Sequence, residues 1–503
     1  MERGFLVKQD IALLLDILNI ELLDHLLNFF SKSHGRIISL EYLQKNYLDI
    51  SNFFEKIKII HPEKTENINL FLLKLQSIST EKKGERIEEN KEKNDYGNIK
   101  IINSFSLATK KLGVGDFVSY YRSRFEDMKK IIQQRTGLEN LTSISKISGL
   151  KQNVSIIAMV INKYTTKNKN MILEVEDNTG KINLLVLKEK KVFEEAKELV
   201  VDDIVGFKCS GSREILFVND IIFPEIFVEK KKSERDISAA FISDLHIGSS
   251  KFLEQNFLKF INWLNLKEGD DFQKEIAKKI KYLFVVGDLI DGVGIYPNQG
   301  EELEIKDVKR QYEKVAELFD KIRKDITIII TPGNHDALRI IEPQPMLDER
   351  YANSLYNLKN IIFCSNPSMV NIEGFNILTY HGYSYDYYAN NVESLRINNA
   401  YKKPELIISF LLRRRHLAPT HGSTLFFPTT EKDPLMIREI PDLFVSGHIH
   451  KSGIGYYNNL PIISCSCWQA RTAFQGKVGH VPDLCKVPVF NFKDRSIKLM
   501  DFE

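Results

Sequence analysis

Cysteine is scarce in this chain: five thiols in 503 residues, odd in number and scattered at Cys209, Cys364, Cys465, Cys467 and Cys485. So few thiols exclude a disulfide-stapled scaffold and suit a reducing compartment. Cys465-Ser-Cys467 follows an apolar run and reads as buried strand-end thiols rather than a metal or redox pair. An excess of one charge is missing too. Lys and Arg number 70 against 67 Asp and Glu, a net +3, so any hold on a polyanion must come from local patches. Long apolar runs are absent as well. The most apolar N-terminal stretch, residues 11–15, is interrupted by Asp16 and then Glu21 and Asp24, which neither a membrane span nor an export signal tolerates. A cytoplasmic protein with no membrane partner is expected.

The length suggests roughly three domains, and the hydrophobic patterning divides the chain accordingly. Residues 1–76 carry apolar side chains at helical spacing (Ile11, Leu14, Leu15, Ile17, Leu18, then Leu22, Leu23, Leu26, Leu27, Phe30), which predicts an all-α N-terminal domain. Residues 77–109 hold a charged stretch with Ile87 as its lone large apolar residue from 81 to 95, too little to offset ordering entropy, and are expected to be a flexible linker. Residues 110–144 form a helical connector, with Asp116 as its candidate N-cap. Residues 145–235 switch to five short strands with one intervening helix, the pattern of an OB-fold β-barrel. From 236 to 503, apolar strands at 239–242, 282–286, 326–330, 375–379 and 443–445 alternate with amphipathic segments, which predicts an α/β domain.

Each of those five strands is followed by candidate metal-binding residues. The chain reads Asp244-Leu-His246, Gly287-Asp288, Gly333-Asn334-His335-Asp336, His381-Gly382 and Gly447-His448-Ile-His450. Ligands in α/β folds gather where strand C-terminal ends converge on a crevice. Asp244 and His246, two apart on extended chain, face one side. Asp288 is the candidate for a carboxylate bridging two ions. Imidazoles, carboxylates and one amide oxygen make a borderline-hard site suited to Mn2+, Zn2+ or Fe2+ rather than Ca2+. Two divalent ions about 3.5–4 Å apart activate water and clamp a phosphate for in-line displacement.

These motifs resemble the calcineurin-like metallophosphoesterase superfamily over residues 237–470. The resemblance implies that Asp244, His246, Asp288 and His450 hold one ion, and Asp288, Asn334, His381 and His448 the other. It also implies that His335, paired with an Asp, protonates the leaving oxygen or stabilises the transition state, with Asp336 secondary. Three longer stretches narrow the match: Gly287-Asp-Leu-Ile-Asp-Gly-Val-Gly-Ile-Tyr-Pro297, Pro332-Gly-Asn-His-Asp-Ala-Leu-Arg339 with Glu342-Pro-Gln-Pro345, and His416-Leu-Ala-Pro-Thr420. With Asp116-Phe-Val-Ser-Tyr-Tyr121 they are similar to the small subunits of archaeal family D DNA polymerases over 110–503. That family implies a metal-dependent 3′→5′ exonuclease that proofreads for a separate large polymerase subunit. Its implied partners are therefore DNA 3′ ends, single-stranded or mismatched, the large subunit, and through the complex a sliding clamp. Its eukaryotic relatives have lost metal ligands and act as scaffolds, whereas every ligand position here is filled.

The expected chemistry is hydrolysis of a DNA phosphodiester with two ions, Mn2+ first among the candidates, and with His335 assisting departure of the penultimate 3′ oxygen. Arg339 is the candidate for phosphate contact, ahead of Arg413-Arg-Arg415. Tyr383, with Tyr385, Tyr387 and Tyr388, is a candidate for stacking on an unpaired nucleotide. The alternatives are a non-catalytic assembly subunit, a phosphatase or cyclic-nucleotide phosphodiesterase, and a double-strand-break nuclease.

Overall fold

The computed structural model describes residues 99–103, 113–426, 428 and 432–503, with scattered positions of 1–72, of which 47–61 is the longest run. The chain divides into two compact units, Met1–Asp95 and Tyr96–Glu503. The described part of the first includes helix Tyr47–Ile60, whose Ile50, Phe54 and Ile57 are buried. It also includes a parallel pairing of Leu6–Val7 with Ile37–Ile38. The all-α expectation for this unit is corrected at that pairing, where apolar residues that suit extended chain form strands. Residues 77–98 and 104–109 of the expected linker lie outside the described residues.

In the second unit, two six-stranded sheets pack face to face. The first runs in the order Ile361–Phe363, Thr327–Thr331, Ile280–Val286, Ser238–Ile242, Lys486–Asn491, Ile497–Asp501. The second runs Gly453–Tyr457, Leu460–Ser464, Leu443–Ser446, Phe375–Tyr380, Ser368–Ile372, Ile99–Asn103. The period-2 geometry of a strand sorts side chains between layers. Ala239 and Phe241 join Phe284, Ile329, Ile377 and Val445 in the core between the sheets. Ala240 and Ile242 point the other way, into a core closed by helices Glu254–Leu264, Asp271–Lys279, Val308–Asp320 and Glu349–Tyr356. The outer face of the second sheet is covered by Tyr385–Asn391 and Pro404–Arg414. Burial on both faces explains why these strands read as unbroken apolar runs.

Strand Ile99–Asn103 corrects the linker expectation for 77–109. It pairs antiparallel with Ser368–Ile372, and Ile99 and Ile101 pack on the inter-sheet core. Its alternating isoleucines are enough for an edge strand, although the charged run before it hides the signal.

Five strands, Gln152–Thr165, Met171–Asp177, Gly180–Val186, Leu216–Ile222 and Ile204–Gly211, close into a barrel in that order. Helix Val114–Gln133 joins barrel to sandwich: Phe125, Met128 and Ile132 pack with Ile157 and Ile204 of the barrel and with Met436. Its N-cap is Gly113, not Asp116. Asp116 sits in the first turn, and its carboxylate accepts the Gly113 N–H at 2.8 Å, where it still offsets the helix dipole. Two buried ion pairs cement the joint. Arg414 meets Asp203 at 3.0 Å and Arg124 meets Asp433 at 2.8 Å.

Candidate metal centre

Three parallel neighbours of the first sheet, Ser238–Ile242, Ile280–Val286 and Thr327–Thr331, deliver Asp244, His246, Asp288, Asn334 and His335. Two parallel neighbours of the second sheet, Phe375–Tyr380 and Leu443–Ser446, deliver His381, His448 and His450. Both sets arrive at the same end of the sandwich. Asp244, His246, Asp288, His448 and His450 all lie in the left-handed backbone region, with φ of 53°, 51°, 53°, 72° and 55°. Left-handed backbone at a non-glycine residue is uncommon, and a run of it at strand ends marks a site whose geometry outweighs local strain. Close approach fixes two glycines as well. A Cβ on Gly333 would strike the Asp288 carboxylate, and one on Gly287, at φ 88°, would strike the His381 ring.

Ligand atoms of Asp244, His246 and His450 lie within 4.8 Å of one another, as do those of His246, Asp288 and His335, and those of Asp244, Asp288 and His381. His450 Nε2 is 3.3 Å from Asp244 Oδ1 and 3.1 Å from His246 Nε2. His381 Nε2 is 3.2 Å from Asp288 Oδ2 and 3.1 Å from Asn334 Oδ1. Asp244, Asp288 and His381 are fully buried or nearly so. His448 is placed differently from the rest. Its backbone N–H donates to Asp244 and its ring lies 5.2 Å from that of His381, but its Nε2 pairs with Asp386 Oδ2 at 3.2 Å.

The donor set fits divalent cations. His381 Nδ1 lies 2.9 Å from the Val286 carbonyl and His246 Nδ1 lies 3.1 Å from the Asp291 carboxylate. Both acceptors hold the Nδ1–H tautomer and turn an Nε2 lone pair into the cluster, the arrangement a metal-binding imidazole needs. The charges are arranged accordingly. Burial pushes Asp244 up, but the His450 imidazole outweighs it and holds that carboxyl at about 2. Burial lowers His381, and the Asp288 carboxylate overrides it, raising the imidazole to about 9. A bound cation would take over the neutralising role that these imidazoles perform for the carboxylates.

Asp336 is no ligand. It accepts from Gly333 N at 2.8 Å and from Tyr312 Oη at 3.2 Å, and burial followed by the charge of Asp288 raises it to about 7. Asp291 is a further candidate site residue, which sequence reasoning leaves unassigned. Its carboxylate holds His246 and is itself held by Gln469 at 2.9 Å and Gln299 at 2.8 Å, while its carbonyl accepts from His335 Nδ1 at 2.9 Å. The available signal is its place three residues after Asp288, within the stretch from Gly287 to Pro297. Gln299 and Gln469 lie in no motif.

A cavity of about 770 Å³ opens over the cluster, lined by His246, Asp288, Asn334, His335, His448 and His450 among others. Tyr383 lines it, its ring 5.8 Å from that of His448. Arg339 is not among the described lining residues, and its guanidinium donates to the Pro343 carbonyl at 2.8 Å. The stacking expectation is corrected for Tyr385 and Tyr388, which are fully buried in the core. The phosphate expectation is corrected for Arg414 and Arg415. Arg414 is buried against Asp203, and Arg415 donates to the Ile437 carbonyl at 2.9 Å. Both lie at the C-terminal end of a helix packed on the second sheet, where burial demands partners for their charge. All five cysteines are free and buried.

Parallel strand ends thus carry Asp, His and Asn side chains into one buried cluster that could hold metal ions. The profile of the DNA polymerase alpha/epsilon B-subunit family matches residues 239–453. A DNA polymerase II small subunit from Methanothermobacter thermautotrophicus is 40% identical over 391 residues, covering 77% of this chain and 80% of the relative. One from Archaeoglobus fulgidus is 37% identical over 387 residues, 77% of each chain. One from Pyrococcus furiosus is 36% identical over 393 residues, of which the match spans 63% of the relative's length. The chain belongs to the family of archaeal DNA polymerase II small subunits. Among solved structures, one titled as a novel archaeal phosphodiesterase is similar at 13% identity and a TM-score of 0.27, covering 52% of this chain and 99% of that one.

Proposed function

We propose that the chain is a 3′→5′ exodeoxyribonuclease, the proofreading small subunit of a two-subunit polymerase whose large subunit carries synthesis. One observation carries this reading: a filled Asp/His/Asn donor set converges at the floor of an open cavity in a polymerase small subunit. Asp244, His246, Asp288 and His450 would hold one ion, and Asp288, Asn334, His381 and His448 the other, with Mn2+ as the proposed metal. Two such ions supply an activated water and neutralise the scissile phosphate.

The chain's own residues do the rest. Asp291 fixes His246 through Nδ1, and Val286 fixes His381, so both imidazoles are set before any ligand arrives. His335 is only partly buried and lines the cavity. With Nδ1 held by the Asp291 carbonyl, its Nε2 would be the atom that gives a proton to the departing 3′ oxygen. Tyr383 extends the wall beside His448 for the terminal nucleotide.

The closed barrel is proposed to be an OB-type module, and the sliding clamp is reached through the assembled complex. A scaffolding role accompanies catalysis, supported by the buried pairs that make barrel, connector helix and sandwich one body within the second unit. A substrate panel tests the reaction class. With Mn2+, an oligonucleotide should be hydrolysed, and aryl phosphomonoesters and cyclic nucleotides should be poor substrates. The reverse preference would make this a phosphatase or cyclic phosphodiesterase.

A further inference from the structure

The cavity carries an aromatic pair that neither the metals nor His335 requires. Tyr296 and Phe474 stack with ring centroids 5.6 Å apart and planes 30° apart. Both line the cavity, and the Tyr296 ring lies 6.3 Å from that of His335. Phe474 is 44% exposed. A phenylalanine left open to water at the wall of a polar site forgoes burial that its size would reward.

The pair is held in place rather than free. Tyr296 Oη donates to Glu302 at 3.3 Å, and the backbone N–H of Ala473 donates to the other oxygen of the same carboxylate at 3.0 Å. Glu302 therefore ties the two segments that carry the rings. The short helix Ala473–Lys477 is closed by a capping box in which Gln475 N donates to Thr472 Oγ1 at 3.2 Å and Thr472 N to Gln475 Oε1 at 3.1 Å. The amide of Gln475 then meets His450 Nδ1 at 3.0 Å, so the platform is continuous with the metal centre.

We propose that Tyr296 and Phe474 form a stacking platform for the base of the 3′-terminal nucleotide, so that the site selects ends whose last base has left the duplex. This rests on reading the site as one for DNA 3′ ends. Every nucleobase offers a π-face, so the platform is indifferent to sequence, and a base still paired and stacked in a duplex cannot reach it. The cavity lies within the roughly 300–1,000 Å³ typical of small-ligand sites, ample for one nucleotide.

The test uses the full chain in EDTA, so that no cleavage occurs, and fluorescence anisotropy of 5′-labelled single strands. One strand ends in a natural nucleotide and its twin in a 3′-terminal abasic tetrahydrofuran residue. Wild type should bind the natural strand about tenfold more tightly, within the range stacking contributes per base. Phe474→Ala should bring the ratio of the two dissociation constants to about one. Phe474→Leu, which keeps bulk without a π-face, should do nearly the same with an unaltered melting temperature. An equal loss on both strands, a ratio unchanged in both variants, or a wild type that does not discriminate would overturn the proposal. Absence of cleavage in a parallel Mn2+ reaction would count against the exonuclease reading alone, because the binding ratio is measured without it.

Discussion

Gly333 and His335, two residues apart, are under different constraints and yield separable expectations. A methyl group at Gly333 would meet the Asp288 carboxylate and the Asp288 backbone nitrogen, the latter at 2.5 Å. Gly333→Ala should therefore abolish tight Mn2+ binding by isothermal titration while the far-ultraviolet circular dichroism is retained, and unchanged metal affinity would contradict the packing. His335→Ala should lower kcat by roughly 10²–10⁴-fold, the span of a positioned acid–base group. Metal content by mass spectrometry should hold; if it collapses in that variant, His335 is a ligand and not a proton donor. The candidate ligand residues are legible in the sequence because each closes an apolar run with a side chain that has little other reason to be there. Asp291 is not, since a carboxylate that touches only other protein groups has no spelling of its own. Tyr385 and Tyr388 mislead for a related cause: whether a tyrosine faces solvent or core is decided by the helix it turns out to occupy.

At the scale of elements, strand ends explain most of what can be read. Parallel strands buried on both faces produce long apolar stretches, and these are hard to miss. Edge strands are easy to miss, as Ile99–Asn103 shows, because one short stretch of alternating isoleucines is outweighed by the charged residues before it. Its contribution is measurable. Ile101→Asp places a carboxylate against the inter-sheet core and should cost about 1–3 kcal/mol, seen as a lower Tm. An unshifted melt would mean that the strand pairs without supporting the sandwich. The start of helix Val114–Gln133 is ambiguous in sequence because Asp stabilises both the cap and the first turn, and only the backbone angles of Gly113 separate the two.

For the molecule as a whole, buried charges at the joint between barrel and sandwich are beyond sequence reasoning, which sees Arg413-Arg-Arg415 as a basic patch. Arg414→Met leaves Asp203 buried without its partner and should cost about 3–5 kcal/mol, while adding Asp203→Leu should recover part of that, measured by denaturant unfolding. The neighbouring cluster sets a pH dependence. Burial first, and then Arg124, lower His416 from 6.5 to about 4. Between those values the unfolded chain takes up a proton that the folded chain refuses, so stability is fully present above pH 6.5 and is lost as the pH falls toward 4. Asp433, whose carboxylate is held down by His416 and Arg124 against its burial, adds its own loss only below 3.8. His416→Asn should flatten the upper window, and a profile unchanged between pH 6.5 and 4 would contradict the assignment.

The proposed exonuclease removes nucleotides from a DNA 3′ end at the Asp/His/Asn cluster. The most direct measurement follows a single-stranded oligonucleotide labelled at its 5′ end, and a second labelled at its 3′ end, in Mn2+, with Asp288→Asn beside the wild type. The expected result is a ladder that shortens stepwise from the 3′ end, early release of the 3′ label as a mononucleotide, and neither with the variant. Intact oligonucleotides in the wild-type reaction, both alone and with the large polymerase subunit present, would contradict the exonuclease and leave an assembly subunit.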